Sequence, residues 1–145
     1  MGIKNNTNIK LINRGSLPQK EHVQSFVEKN LEDKKDDVII KKLSNKLLYM
    51  INNGSQLIKG RSPNRNIEII KTLTIDVNKE LDNIKNNNMK LEDIDKIRAK
   101  RLFSDISLMM CLGLIVNKQT NQKVLTDLVE SSMMNALYIL IQKID

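Results

Sequence analysis

Residues 67–84 read IEIIKTLTIDVNKELDNI. Ile67, Ile70, Leu73, Val77, Leu81 and Ile84 step along this stretch by three or four residues without a miss. That spacing lays all six on one face of an α-helix and leaves the charged residues on the other. A strand competes at Lys71 to Val77, where β-branched side chains crowd together. Strict alternation is too short-lived there to define a strand, whereas the helical step persists for about five turns. The same period recurs on both sides of this segment, and the chain is therefore read as all-α.

Working outward, Ser16 is expected to cap the first helix, with Pro18 in its opening turn and Val23, Phe26, Val27 and Leu31 on its apolar face. Asp36 and Asp37 open the second helix, where carboxylates complement the helix dipole. Its stripe is Ile39, Ile40, Leu43, Leu47, Met50 and Ile51, and it should stop at Asn52-Asn53-Gly54 through a left-handed glycine. Asn86 to Asn88 close the third helix. The fourth is expected over 91–116, with Ala99, Leu102, Phe103, Ile106, Met109, Met110 and Gly113 facing the core. From Leu108 to Val116 (LMMCLGLIV) it is apolar all round, the mark of a central helix, and Asn117 to Asn121 should turn the chain. Val124, Leu125, Leu128, Val129, Ser132, Ala136, Leu140 and Ile144 line the last helix. The expected architecture is a single compact bundle of about five helices over 16–145, preceded by a flexible basic arm at 1–15.

At 145 residues, with 40% hydrophobic and 28% charged side chains, the chain suits one globular domain. Aromatic residues are only 3% and Trp is absent, so Ile, Leu, Val and seven Met must build an adaptable core. The heavy use of Lys, Asn and Ile is the texture of an AT-rich genome, such as that of a virus, phage, plasmid or low-GC bacterium. The net charge is +7, and its distribution is uneven. Residues 1–65 hold 13 Lys and Arg against 6 Asp and Glu, while 66–145 hold 11 of each. A basic half favours an anionic partner such as nucleic acid, an acidic protein or a membrane surface.

Catalytic equipment is nearly absent. His22 is the only histidine and Cys111 the only cysteine, which excludes a zinc set, a disulfide framework and a Cys-His or Ser-His-Asp arrangement. Five scattered glycines write neither a phosphate-binding loop nor a dinucleotide fingerprint. Glu92, Asp93 and Asp95 read as decoration of the fourth helix's first turn, and Asp76 with Glu80 as a solvated face. No enzyme activity, metal or cofactor is expected. The longest apolar run is nine residues, far short of the roughly 20 that span a bilayer. Gly2 follows Met1 as myristoylation requires, but Asn6 stands where Ser or Thr is wanted, so that modification is not expected. A polar start and a lone cysteine suggest an intracellular setting, and the sequons at Asn5 and Asn53 should go unused.

Two basic features remain. In IKGRSPNRNI (58–67), Ser62 is a good N-cap and Pro63 a good first helical residue, with Lys59, Arg61 and Arg65 alongside. A helix start flanked by arginines suits an anion, although a basic loop between two helices would read the same way. Lys35, Lys42 and Lys46 share one polar face of the second helix and extend this candidate anion or nucleic-acid surface. Lys96, Lys100, Arg98 and Arg101 point in different directions around the fourth helix and form no stripe. No aromatic residues interleave with the basic ones, which disfavours base stacking.

Size, Lys/Ile/Asn texture and the C-terminal segments LFSDISLMMCLGLIV (102–116) and LTDLVESSMMNALYILIQKID (125–145) resemble small helical poxvirus proteins, in particular their Bcl-2-like host-modulating group. The resemblance covers the last 45 residues or so. It implies a non-enzymatic protein that binds host signalling or death proteins through a helix groove, in host cytoplasm or virion. The basic balance and the poverty in aromatics depart from that group. The functional expectation is a helical protein-interaction module, host-modulating or part of a viral assembly, that engages a protein partner or itself. The alternative is a nucleic-acid-binding accessory protein that uses the basic half.

Overall fold

A computed structural model describes residues 17–31, 33, 35–54 and 60–145. The expected arm at 1–15, the cap at Ser16 and Lys59 lie outside the described residues. Five α-helices carry the described chain: α1 Lys20–Asn30, α2 Asp37–Asn53, α3 Pro63–Asn86, α4 Lys96–Thr120 and α5 Asp127–Ile144. A 3-10 turn at Leu91–Asp93 links α3 to α4, and no described residue is in a strand. Residues 71–77 are helical throughout. The all-α reading holds.

Four of the five helices start on a side-chain cap, which answers a backbone N–H left without an intrahelical partner. Asp36 accepts from the Val38 N–H at 2.8 Å, Ser62 from Arg65 at 3.2 Å, Asp95 from Arg98 at 2.8 Å and Thr126 from Val129 at 3.2 Å. The first helix differs from expectation. Gln19 is extended and holds the N-cap position without a side-chain bond to the helix, so Pro18 precedes α1 and is not in its first turn. Pro18 is buried and Leu17 packs on the core, so the chain enters the helix only after both are seated.

One helix stop and three further boundaries are corrected. Gly54 has φ −68° and ψ −174°, an extended conformation open to any residue, so α2 does not end on a left-handed glycine. The helix expected from Leu91 is broken at Ile94, which is extended and fully buried. Drawing Ile94 into the core costs α4 its first turn and leaves Asp95 as its cap. Glu92 and Asp93 therefore lie in the 3-10 turn and not in α4. At the other end, α4 runs on through Asn117 to Thr120 and stops only at Asn121, whose φ of 60° is a conformation that Asn tolerates. Val124 and Leu125 precede α5, so the phase drawn from them misplaces Leu128, which is 80% exposed. The inward residues of α5 are Met133, Met134, Ala136, Leu137, Leu140 and Ile141.

The core gathers around α4. Every residue named from sequence for its inner face is buried, from Ala99 to Gly113. Residues 109–116 are buried on all sides because α2, α3 and α5 each pack on a different flank. Gly113 lets the α4–α5 connection return closely: a Cβ there would lie 2.8 Å from Leu125 Cδ1. Cys111 sits in this interior, where burial pushes its thiol up to about 12. Antiparallel to α4 lies α3, with the Thr74 hydroxyl, which donates to the Ile70 carbonyl at 2.7 Å, lying 3.1 Å from Met109 Sδ, and Arg98 gripping Glu80. Alongside α5, in the same direction, runs α2: the Asp36 N–H donates to Tyr138 Oη at 2.9 Å, and Asp145 reaches Lys42. α1 closes the bundle at Asn30, which is buried and receives the Ser131 hydroxyl at 3.1 Å.

Candidate functional site

The basic residues singled out from sequence separate into groups. Lys42 and Lys46 are one turn apart on α2, and both reach one carboxylate. Lys42 Nζ lies 2.8 Å from one Asp145 oxygen and Lys46 Nζ 3.7 Å from the other. Hydrogen bonding from Lys42 holds the Asp145 carboxyl below its ordinary value against partial burial, and Lys46 adds to the effect. Lys35 precedes α2 and sits 4.9 Å from the centre of the Tyr138 ring, a cation–π contact. Ser62 caps α3 as expected, while Arg65 turns along the helix to Glu68 at 3.4 Å. Arg61 is half-buried at the same turn.

Sequence reading did not anticipate the feature beside Lys42 and Lys46. Between α2 and α4 lies an open depression of about 470 Å³, lined by Lys42, Asn45, Lys46, Tyr49, Met50 and Phe103. Tyr49 is 67% exposed and forms one wall, Met50 is half-buried, and the buried Phe103 supplies the floor. The walls are mostly apolar and the charge sits at one end. A signal for it was present in the sequence. Val38, Lys42, Asn45 and Tyr49 are spaced by four, three and four residues, which puts them in one row on α2. Val38 and Tyr49 are large apolar residues on that row, away from the buried face of Leu43, Leu47 and Ile51. Arg61 and Arg65 are not among the residues that line the depression.

The acidic residues also sort differently from expectation. Glu80 is not simply solvated: Arg98 meets it with two hydrogen bonds of 2.8 Å in the α3–α4 seam. The Arg98 hydrogen bonds hold Glu80 below its ordinary value. Asp105, farther along the same seam, is raised by burial and by the nearby Asp76. Lys123 bonds Asp127 and lies 2.9 Å from the buried Glu130, which closes the start of α5. Among the described residues no three His, Cys, Asp or Glu side chains gather as a metal would need, and no helix is long and apolar enough to cross a membrane. His22 is exposed on α1. Comparisons with protein-family models, with curated proteins and with solved structures find no match.

Proposed function

We propose that this chain is a non-enzymatic helical protein-interaction module, and that the depression between α2 and α4 seats a helix of its partner. The observation that carries this reading is the pairing of an apolar trough with two lysines already joined on a carboxylate. Such a trough suits an amphipathic helix that brings a bulky apolar side chain to Tyr49, Met50 and Phe103 and an acidic one to Lys42 and Lys46. A host-modulating role, or a place in a viral assembly, is in keeping with the resemblance of residues 102–145 to small poxvirus helical proteins.

Selection from a displayed library of randomised amphipathic helices against the full chain tests the proposal. Enriched sequences should carry Asp or Glu about one turn from an aromatic or branched apolar residue. Their binding should fall about tenfold or more on Tyr49→Ala and on the double change Lys42→Gln, Lys46→Gln. Enrichment of binders indifferent to both variants, or no enrichment, overturns it. Duplex DNA binding that weakens steeply with salt and ignores Tyr49 would establish the nucleic-acid reading instead. Self-association in sedimentation that Tyr49→Ala abolishes would make the occupant a second copy.

A further inference from the structure

A second cavity lies on the other side of Asn45, between α1 and α2. It measures about 170 Å³ and is lined by Lys20, Gln24, Lys41, Ser44, Asn45 and Leu48. Lys20 and Gln24 are one turn apart on α1, and Lys41 and Asn45 one turn apart on α2. Each helix therefore contributes one ammonium and one carboxamide to the same space. Among the described residues no carboxylate lines the cavity and neither lysine has an ion-pair partner. The acids closest along the chain, Glu21 and Asp37, are exposed.

This is the reverse of the situation beside it. Lys42 and Lys46 have Asp145 between them, whereas among the described residues no carboxylate stands between Lys20 and Lys41. The residues lining that space include two lysines and two carboxamides, a donor-rich set with no acidic acceptor among the described residues. A phosphate group offers three or more oxygens in a tetrahedral array and matches such a set. Ser44 is buried and gives its hydroxyl hydrogen to the Ile40 carbonyl at 2.8 Å, so it fixes the wall of the cavity without needing a ligand. The small volume suits one phosphate with a few waters and does not suit a polyphosphate backbone.

We infer that the cavity between α1 and α2 binds a single phosphate group, presented by a small phosphate monoester or by a lipid headgroup. Titration of the labelled full chain with inorganic phosphate, followed by amide and side-chain NMR, tests this directly against sodium chloride of matched ionic strength. The expected result is saturable shifts centred on Lys20, Gln24, Lys41 and Asn45. Replacing Lys20 and Lys41 by Gln should weaken the apparent affinity about tenfold. The double change Lys42→Gln, Lys46→Gln should leave it within about twofold. Both pairs are exposed, and circular dichroism should show unchanged helicity in each variant. Glycerol 3-phosphate and phosphatidylcholine vesicles with or without phosphatidic acid then separate the sources. Loss of vesicle binding with the Lys20 and Lys41 variant assigns a headgroup, and a response to soluble phosphates alone assigns a free monoester. Shifts equal to those in chloride, or equal losses from both lysine pairs, overturn the inference.

Discussion

Two of the seams on α4, those with α3 and with α2, are finished differently. On one side α3 lies antiparallel along it, with Thr74 on Met109 and the Glu80–Arg98 pair fastening the outer edge. On the other, α2 packs through Leu43, Leu47 and Ile51 but leaves Tyr49 and Phe103 facing an open trough. The first seam is closed by partly shielded polar bonds, and the second is rimmed by lysines whose anion comes from the far end of α5. Seams that serve only the fold are expected to close. The open one, with exposed Tyr49 and the Asp145 carboxylate at its edge, is the seam that the proposed partner helix would enter.

The largest expected effect lies beneath both seams. Met109 is fully buried in α4. Met109→Asp should unfold the protein, because an unpaired carboxylate in that interior costs several kcal/mol against a total stability of about 5–15 kcal/mol. Loss of the helical circular dichroism signal is the check, and a variant that melts with the parent would remove α4 from the centre of the account.

Breaking the closed seam should cost less. Glu80→Gln removes a carboxylate held by two hydrogen bonds, and screening at this partly exposed site limits the loss to about 1 kcal/mol at neutral pH. Its folded value is depressed below the ordinary 4.5. The stabilisation is therefore complete above that value and lost as pH falls through the lower folded one. Urea midpoints of parent and variant should converge in acid. A difference that grows in acid would contradict the pairing.

Asp105 should show the opposite sign. Burial and Asp76 raise it above its ordinary 3.8, so its ionised form is penalised at neutral pH and relieved as pH falls through the raised value. Asp105→Asn should stabilise by a few tenths of a kcal/mol at neutral pH, with no gain near pH 3. Equal stability changes at both pH values would mean that charge is not the cause.

How much of this was legible follows from what each signal reports. The helical period of Ile67 to Ile84 revealed α3 at once, yet α3 is less buried than α4, whose period is blurred. Among the described residues α3 packs chiefly on α4, so one clean stripe suffices, whereas α4 must satisfy neighbours on several sides. Boundaries were read poorly where tertiary contact overrode local preference, as at Ile94, Pro18 and Leu125. The exposed row on α2 was readable in principle, but the trough itself was not, because Phe103 and Asp145 lie more than fifty residues from Tyr49 and only chain folding brings them together. The candidate basic surface was half legible. The Ser62 cap was read correctly, but a linear sequence cannot show that Lys42 and Lys46 meet one carboxylate.

A comparably small effect on stability is expected at the open seam. Tyr49→Ala should change stability by no more than about 0.5 kcal/mol, since most of the side chain is already in water. A loss of 2 kcal/mol or more (roughly the cost of a core truncation) would mean that Tyr49 supports the fold and not a partner.

Hydrogen exchange of the full chain with and without a selected helical peptide compares the two seams in one measurement. The account predicts added protection in α2 around Asn45 to Met50 and in α4 around Phe103, with α3 unchanged. Added protection along α3 instead, or none beside Tyr49 and Phe103 under saturating peptide, would contradict it.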